Sequence, residues 1–167
     1  MDTERPPAGT TPADPYLREA VEQPTAVRRA TLALPELRAW FAKTYGEVGS
    51  YLTLHGITPR GYPFARYQHR PDGRFDVEAG YVVTAPIAGD TVTVPSSLPG
   101  GLHAVVWHIG PYQKIGATYA QLTTWIESQS GRADGAPWEF YHDPPGNERT
   151  LWRTEIVQPY VIVGDPR

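Results

Sequence analysis

Two glutamates sit where carboxylates are rare. Glu139 lies within Pro137-Trp138-Glu139-Phe140-Tyr141, and Glu155 within Trp152-Arg153-Thr154-Glu155-Ile156-Val157, runs that are otherwise largely apolar. A carboxylate there needs a partner or a wet face, because burying it bare is costly. Set among aromatic rings, it suits a cationic or polarised planar ligand. Desolvation would also raise its pKa and equip it as a general base near neutral pH. The rings that could surround it are Phe64, Tyr67, Tyr81, Trp107, Trp138, Tyr141 and Trp152, with Tyr112 at a strand end. Sheets favour aromatics for plain packing. So many Tyr and Trp tips, however, need polar partners or water, which a cleft supplies more easily than a sealed core. A turn centred near Gly146 would pair odd residues with odd ones, placing Glu139, Tyr141, Arg153 and Glu155 on one face. The bland alternative for Glu139 is then a surface ion pair with Arg153, worth under ~1 kcal/mol.

Other chemistries are poorly served. The chain has no cysteine, which excludes disulfides, thiolate metal sites and a cysteine nucleophile. Of the five histidines, His103 and His108 take odd and even places in one strand and so point to opposite faces, while His55, His69 and His142 fall at element ends. No His-Glu-x-x-His spacing occurs, so neither a metal nor a cofactor is expected. The net charge of −3 carries no electrostatic footprint for nucleic acid or an anionic membrane.

The elements that must position these residues follow from periodicity. Leu102 to Ile109 is short, apolar and rich in β-branched and aromatic residues, and reads as a strand. Ile115, Tyr119, Leu122 and Ile126 recur at helical spacing, with Gly131 as the stop. Two strands flank Asp143-Pro144-Pro145-Gly146-Asn147, whose composition demands a turn. Upstream, Thr25 to Ala33 is a strand. Leu37, Phe41, Tyr45, Val48 and Leu52 form one face of a helix opened by Pro35 and closed by Gly56. Strands near Phe64–His69 and Arg74–Val83 flank a hairpin turn at Pro71-Asp72-Gly73. Helices are predicted at roughly 35–55 and 112–129, and a short strand at Thr91–Val94.

The second of these units repeats the first. A shift of 74 positions puts Phe41 on Ile115, Tyr45 on Tyr119, Leu52 on Ile126, Gly61 on Gly135, Pro63 on Pro137, Phe64 on Trp138 and Tyr67 on Tyr141. We therefore expect an α+β fold: a tandem duplication of a strand–helix–strand–strand unit, its antiparallel curved sheet bearing two helices and a central cleft. The repeats span about 23–84 and 98–163 of a single domain at 23–167. Residues 1–22 read as a disordered polar leader, with order beginning near Tyr16 and no signal-peptide pattern. No apolar run approaches the ~20 residues that span a bilayer, so a cytoplasmic protein is expected. Nothing ahead of the domain reads as a helix-turn-helix. The oligomeric state is not legible.

His108-Ile109-Gly110-Pro111-Tyr112, Pro137-Trp138-Glu139-Phe140-Tyr141 and Thr154-Glu155-Ile156 resemble the GyrI-like small-molecule-binding domain. So do Gly61-Tyr62-Pro63-Phe64-Ala65-Arg66-Tyr67 and Asp76-Val77-Glu78-Ala79-Gly80 of the first half. That family includes effector-binding domains of AraC- and MerR-type multidrug regulators. The resemblance implies a planar aromatic, drug- or toxin-like ligand, and it places a ligand-contacting glutamate in a segment like Thr154-Glu155-Ile156. Glu155 and Glu139 are therefore the candidate catalytic or charge-recognising groups. Phe64, Tyr67, Tyr81, Trp107, Tyr112, Trp138 and Tyr141 are the candidate ligand-binding residues, and Glu78 ranks below them. Some stand-alone members of the family are similar to hydrolases that open cyclopropane rings of DNA-alkylating natural products, which suggests self-resistance. The alternatives are a ligand sensor or sequestering protein without catalysis, or a protein-contact module like the gyrase-inhibiting members. Direct nucleic-acid or membrane binding is not expected.

Overall fold

A computed structural model of the chain describes residues 14–143 and 148–164. Strands β1 (Tyr16–Ala20) and β2 (Gln23–Leu32) lead through a 3-10 turn at Leu34–Glu36 into helix α1 (Leu37–Leu54). Strands β3 (Arg60–His69), β4 (Phe75–Val82), β5 (Val94–Leu98) and β6 (Gly101–Ile109) follow. A 3-10 turn at Tyr112–Lys114 opens helix α2 (Ile115–Ser128), and β7 (Gly131–Ala133), β8 (Trp138–Tyr141) and β9 (Arg153–Ile162) complete the chain. Pairing is antiparallel throughout, in the order β1-β6-β9-β8-β3-β4-β2-β5, with β7 added beside the far end of β9. Outward from the β3–β8 junction the order is β3, β4, β2, β5 on one side and β8, β9, β6, β1 on the other, a symmetric arrangement.

The sheet is rolled. Val27 of β2 and Val105 of β6 belong to one buried cluster with Phe64, Leu98, Trp138 and Val157. In a flat sheet those two strands would lie ~24 Å apart, at ~4.8 Å per strand. Curling encloses this cluster on an inner face. The helices pack on the outer face, α1 over Ala26, Val83 and Ile87, and α2 over Ala104, Val106, Ile156 and Tyr160. The α+β fold of two helices on a curled antiparallel sheet is as expected.

Four expectations need correction. The polar leader expected over residues 1–22 gives way earlier to structure, since Tyr16–Ala20 form β1 against β6; residues 1–13 lie outside the described residues. The short strand expected at Thr91–Val94 forms three residues later, as Val94–Leu98 on the edge of β2. Ser130, at φ 59°, and not Gly131, takes the left-handed place after α2. Gly131 is needed for a different reason, since a Cβ there would stand 2.7 Å from the Tyr160 ring. Finally, the β8–β9 register pairs odd with even: Glu139 opposes Ile156, and Phe140 opposes Glu155. The expected turn at residues 144–147 lies outside the described residues, but the strands it joins are offset by three residues, Glu139 meeting Ile156 and not Arg153, and an odd offset reverses a face.

Candidate functional site

Because side chains alternate along a strand, the register sends Ala65 and Tyr67 of β3 to the same face as Glu139 and Tyr141 of β8. That is the outer face, between the two helices. Glu139 is 8% exposed there. It accepts the hydroxyl of Tyr119, from α2, at 2.5 Å and that of Tyr141 at 3.1 Å. Tyr67 and Tyr141 hydroxyls meet at 2.6 Å, although the residues are 74 apart in sequence. Tyr45 of α1 donates to the Phe64 carbonyl at 2.9 Å. Rings close the walls: Phe41 stands edge-on to Tyr67 at 6.0 Å, Tyr45 on Tyr81 at 6.1 Å, and Tyr112 on Tyr141 at 5.7 Å. Tyr112 also leans on Trp152 at 5.0 Å.

Ala65 and Glu139 are register partners where β3 meets β8, and they lie 74 positions apart in sequence. The carboxylate thus faces an alanine across the β3–β8 pair, where a second glutamate would add a like charge. The helix starts are fixed locally. His108, at 4% exposure, lies between the Thr118 hydroxyl at 2.7 Å and the Pro111 carbonyl at 3.0 Å, tying the end of β6 to the first turns of α2. Since a carbonyl only accepts, Nε2 is the donor to Pro111, and the Thr118 hydroxyl is the partner of Nδ1.

Burial raises the pKa of the Glu139 carboxyl, and the Tyr119 and Tyr141 hydrogen bonds hold back part of that rise. Burial, with the carboxylate nearby, likewise holds Tyr45, Tyr67, Tyr119 and Tyr141 above the ordinary phenol range. No Lys, Arg or His pairs with Glu139 among the described residues, so the surface ion pair with Arg153 is not formed. Arg153 instead clasps Asp143 at 3.0 Å.

Glu155 stands on the other side of the sheet. It is 2% exposed, across from Trp107 and Phe140, and its partner is Arg18 of β1 at 3.5 Å. Burial raises its pKa and Arg18 opposes the rise. Phe64 and Trp138 are buried within the inner cluster. Glu78 shares the inner face, held by Arg29 at 2.7 Å and Ser96 at 2.9 Å. The structure thus brings Glu139, Tyr67, Tyr141 and Tyr112 together, with Tyr81 at the flank, and keeps Glu155, Trp107, Phe64 and Trp138 apart from them. By periodicity alone Phe41, Tyr45 and Tyr119 read only as helix-packing residues. Their signal was available, since Tyr45 and Tyr119 are matched by the same 74-residue shift. No cluster of three or more metal-ligating side chains occurs among the described residues. No described helix is long and apolar enough to cross a membrane.

Residues 21–161 match the GyrI-like small molecule binding domain. The chain belongs to that family. Among solved structures, the GyrI-like chain is similar to the EcmrR C-terminal domain, with a TM-score of 0.76 at 22% identity over 90% of this chain and 98% of that one. Against EcmrR in its complex with DNA the TM-score is again 0.76 at 23% identity, and here 90% of the chain spans only 58% of EcmrR. A hydrolase from Listeria innocua gives 0.67 at 11% identity, over 89% and 92% of the two chains. SAV2435 bound to tetraphenylphosphonium gives 0.66 at 14% identity, over 89% and 94%. At these identities the likeness is one of fold. No curated protein sequence matches the chain.

Proposed function

We propose that the tyrosine-ringed ground around Glu139, between α1 and α2, forms a cleft that binds aromatic organic cations of drug or toxin size, with Glu139 as the counter-charge. One observation carries this reading: a buried carboxylate, ringed by tyrosines, that no cationic side chain neutralises among the described residues. An isolated buried charge is expensive, and a ligand cation would offset that cost while its rings pack on the aromatic walls. The fold-level likeness to SAV2435, solved with tetraphenylphosphonium, supports the choice of ligand class. A domain of this kind acts by sensing or sequestering such compounds. Calorimetric titration with tetraphenylphosphonium tests it. Binding should weaken tenfold or more, ~1.4 kcal/mol, in Glu139→Gln. Glu155→Gln, on the opposite face, should change it by less than about twofold, as expected for separated sites. Loss of binding in Glu155→Gln with none in Glu139→Gln would move the site to the inner face.

A second reading is favoured by the raised pKa of Glu139, which suits a general base, and by the similar Listeria innocua structure that carries the name hydrolase. In it, Glu139 takes a proton from water as the water oxygen bonds to a carbon of a cyclopropane-bearing alkylator. The ring bond breaks, its electron pair is protonated, and the net change is addition of one water. Incubating such a compound with the protein should then yield the hydrated product, with turnover at least ~10²-fold lower in Glu139→Gln. Full turnover in that variant, lost in Glu155→Gln, would assign the base to Glu155. No product in any case leaves binding alone.

A further inference from the structure

Counting protons assigns a direction to each hydroxyl in the cleft. A phenol has one proton to donate and lone pairs to accept with, while an ionised carboxylate can only accept. With Glu139 ionised, Tyr119 and Tyr141 must both donate to it, at 2.5 and 3.1 Å. The proton of Tyr141 is then committed, so the 2.6 Å contact between Tyr67 and Tyr141 carries the proton of Tyr67. Tyr45 gives its proton to the Phe64 carbonyl at 2.9 Å. All four protons are used internally, and these hydroxyls offer a ligand only acceptors.

Protonating Glu139 changes the count. The carboxylic acid has a proton to give, and its neighbours are the two phenol oxygens it formerly accepted from. The 2.5 Å bond from Tyr119 is the shorter and stronger, so the 3.1 Å contact to Tyr141 is the one that reverses. Tyr141 then accepts from Glu139 and donates to Tyr67. The Tyr67 hydroxyl has no other hydrogen-bond partner among the described residues, so its own proton is released for a ligand.

We propose that Tyr67 is a polarity switch in this cleft, presenting an acceptor when Glu139 is ionised and a donor when it is protonated. The same aromatic walls would then take organic cations in the first state and uncharged aromatic ketones or quinones in the second. The inference rests on the assignment of the cleft as the ligand site. The groups facing Glu139 are Tyr119 of α2, Tyr45 of α1, Tyr67 of β3, Tyr141 of β8 and Tyr112 before α2, with Ile156 of β9 opposite it. On β6, His108 is engaged by Thr118 and Pro111. Burial raises the pKa of every one of these phenols, so among the carboxyl and its phenols Glu139 is the group that loses its proton first as pH rises.

The experiment titrates tetraphenylphosphonium and benzophenone onto the full chain from mildly acidic to mildly alkaline buffer. Cation affinity should rise with pH, by up to about tenfold per pH unit below the pKa of Glu139, and ketone affinity should fall across the same interval. Glu139→Gln mimics the protonated state, because its amide N–H can donate to Tyr141. It should bind the ketone at neutral pH as the wild type does in acid, with no pH dependence. Tyr67→Phe should lose about fivefold in acid-side ketone affinity, one hydrogen bond's worth, and with it the pH trend, and a cooperative urea transition reports that the variant is folded. Ketone affinity that is absent, flat or rising with pH, or a falling trend that survives in Tyr67→Phe, would overturn the switch while cation binding stands. Absence of cation binding at every pH would overturn the site assignment itself, and the switch with it.

Discussion

At the residue scale, the decisive group is Glu139, whose environment makes a prediction about stability independent of any ligand. Burial raises its pKa, so the folded chain holds a proton that the unfolded chain releases. Folding stability should therefore be highest below the ordinary glutamate range and fall as pH rises through the raised value, because the folded state binds more protons there. Glu139→Gln removes that slope. Urea denaturation across this range should show the variant gaining on the wild type as pH rises, with a constant offset from altered hydrogen bonds. An advantage that instead shrinks with rising pH would mean that the carboxylate is better stabilised than its burial implies. The tyrosines explain why the acid is tolerated at all, since two phenol donors take the place of water.

At the element scale, α1 carries one wall of the cleft through Phe41 and Tyr45 yet contains Gly46 and Gly49 in its interior. A Cβ at either position would meet nothing within 4 Å. Packing therefore does not require glycine at either place. Gly46→Ala should stabilise the chain by ~1 kcal/mol, the propensity difference alone, raising the urea midpoint. Gly80 is the contrasting case. A Cβ there would lie 1.9 Å from the Ala26 carbonyl oxygen on the neighbouring strand, so Gly80→Ala should destabilise strongly or prevent folding. If Gly46→Ala also weakens cation binding, the looseness of this helix is part of how the cleft admits a ligand. Both variants are checked by the same denaturation curve.

At the scale of the whole molecule, the sheet closes through contacts between distant parts of the chain. Arg18 of β1 reaches Glu155 on β9, the last strand, and the pair ties the edge strand β1 to β9 across the intervening β6. Arg18→Met should cost roughly 1–3 kcal/mol at neutral pH, less than a fully buried pair because Arg18 is partly solvated. The cost should shrink in acid, where Glu155, its pKa already raised by burial, becomes neutral. Urea melts in mild acid and at neutral pH separate this from a plain loss of β1–β6 pairing, which would be independent of pH. The symmetric strand order around β3 and β8 accords with two like units, and we keep tandem duplication as a proposal resting on the 74-residue register.

The amino-acid sequence by itself determined the α+β class, both helices to within about three residues at each end, and most of the strands, because periodicity and turn chemistry are local. It also held the residue types of the candidate site, a glutamate among tyrosines, with Tyr67 and Tyr141 74 positions apart. It did not show β1, whose Arg18 resembles a surface residue until Glu155 is placed beside it. Nor did it separate Glu139 from Glu155. Their faces depend on a register in which odd residues oppose even ones, and an error of one residue in the connection reverses every side chain beyond it. Which carboxylate lies between the helices was decided only by tertiary structure, because the side of a strand that meets another element depends on pairing with chain far away in sequence.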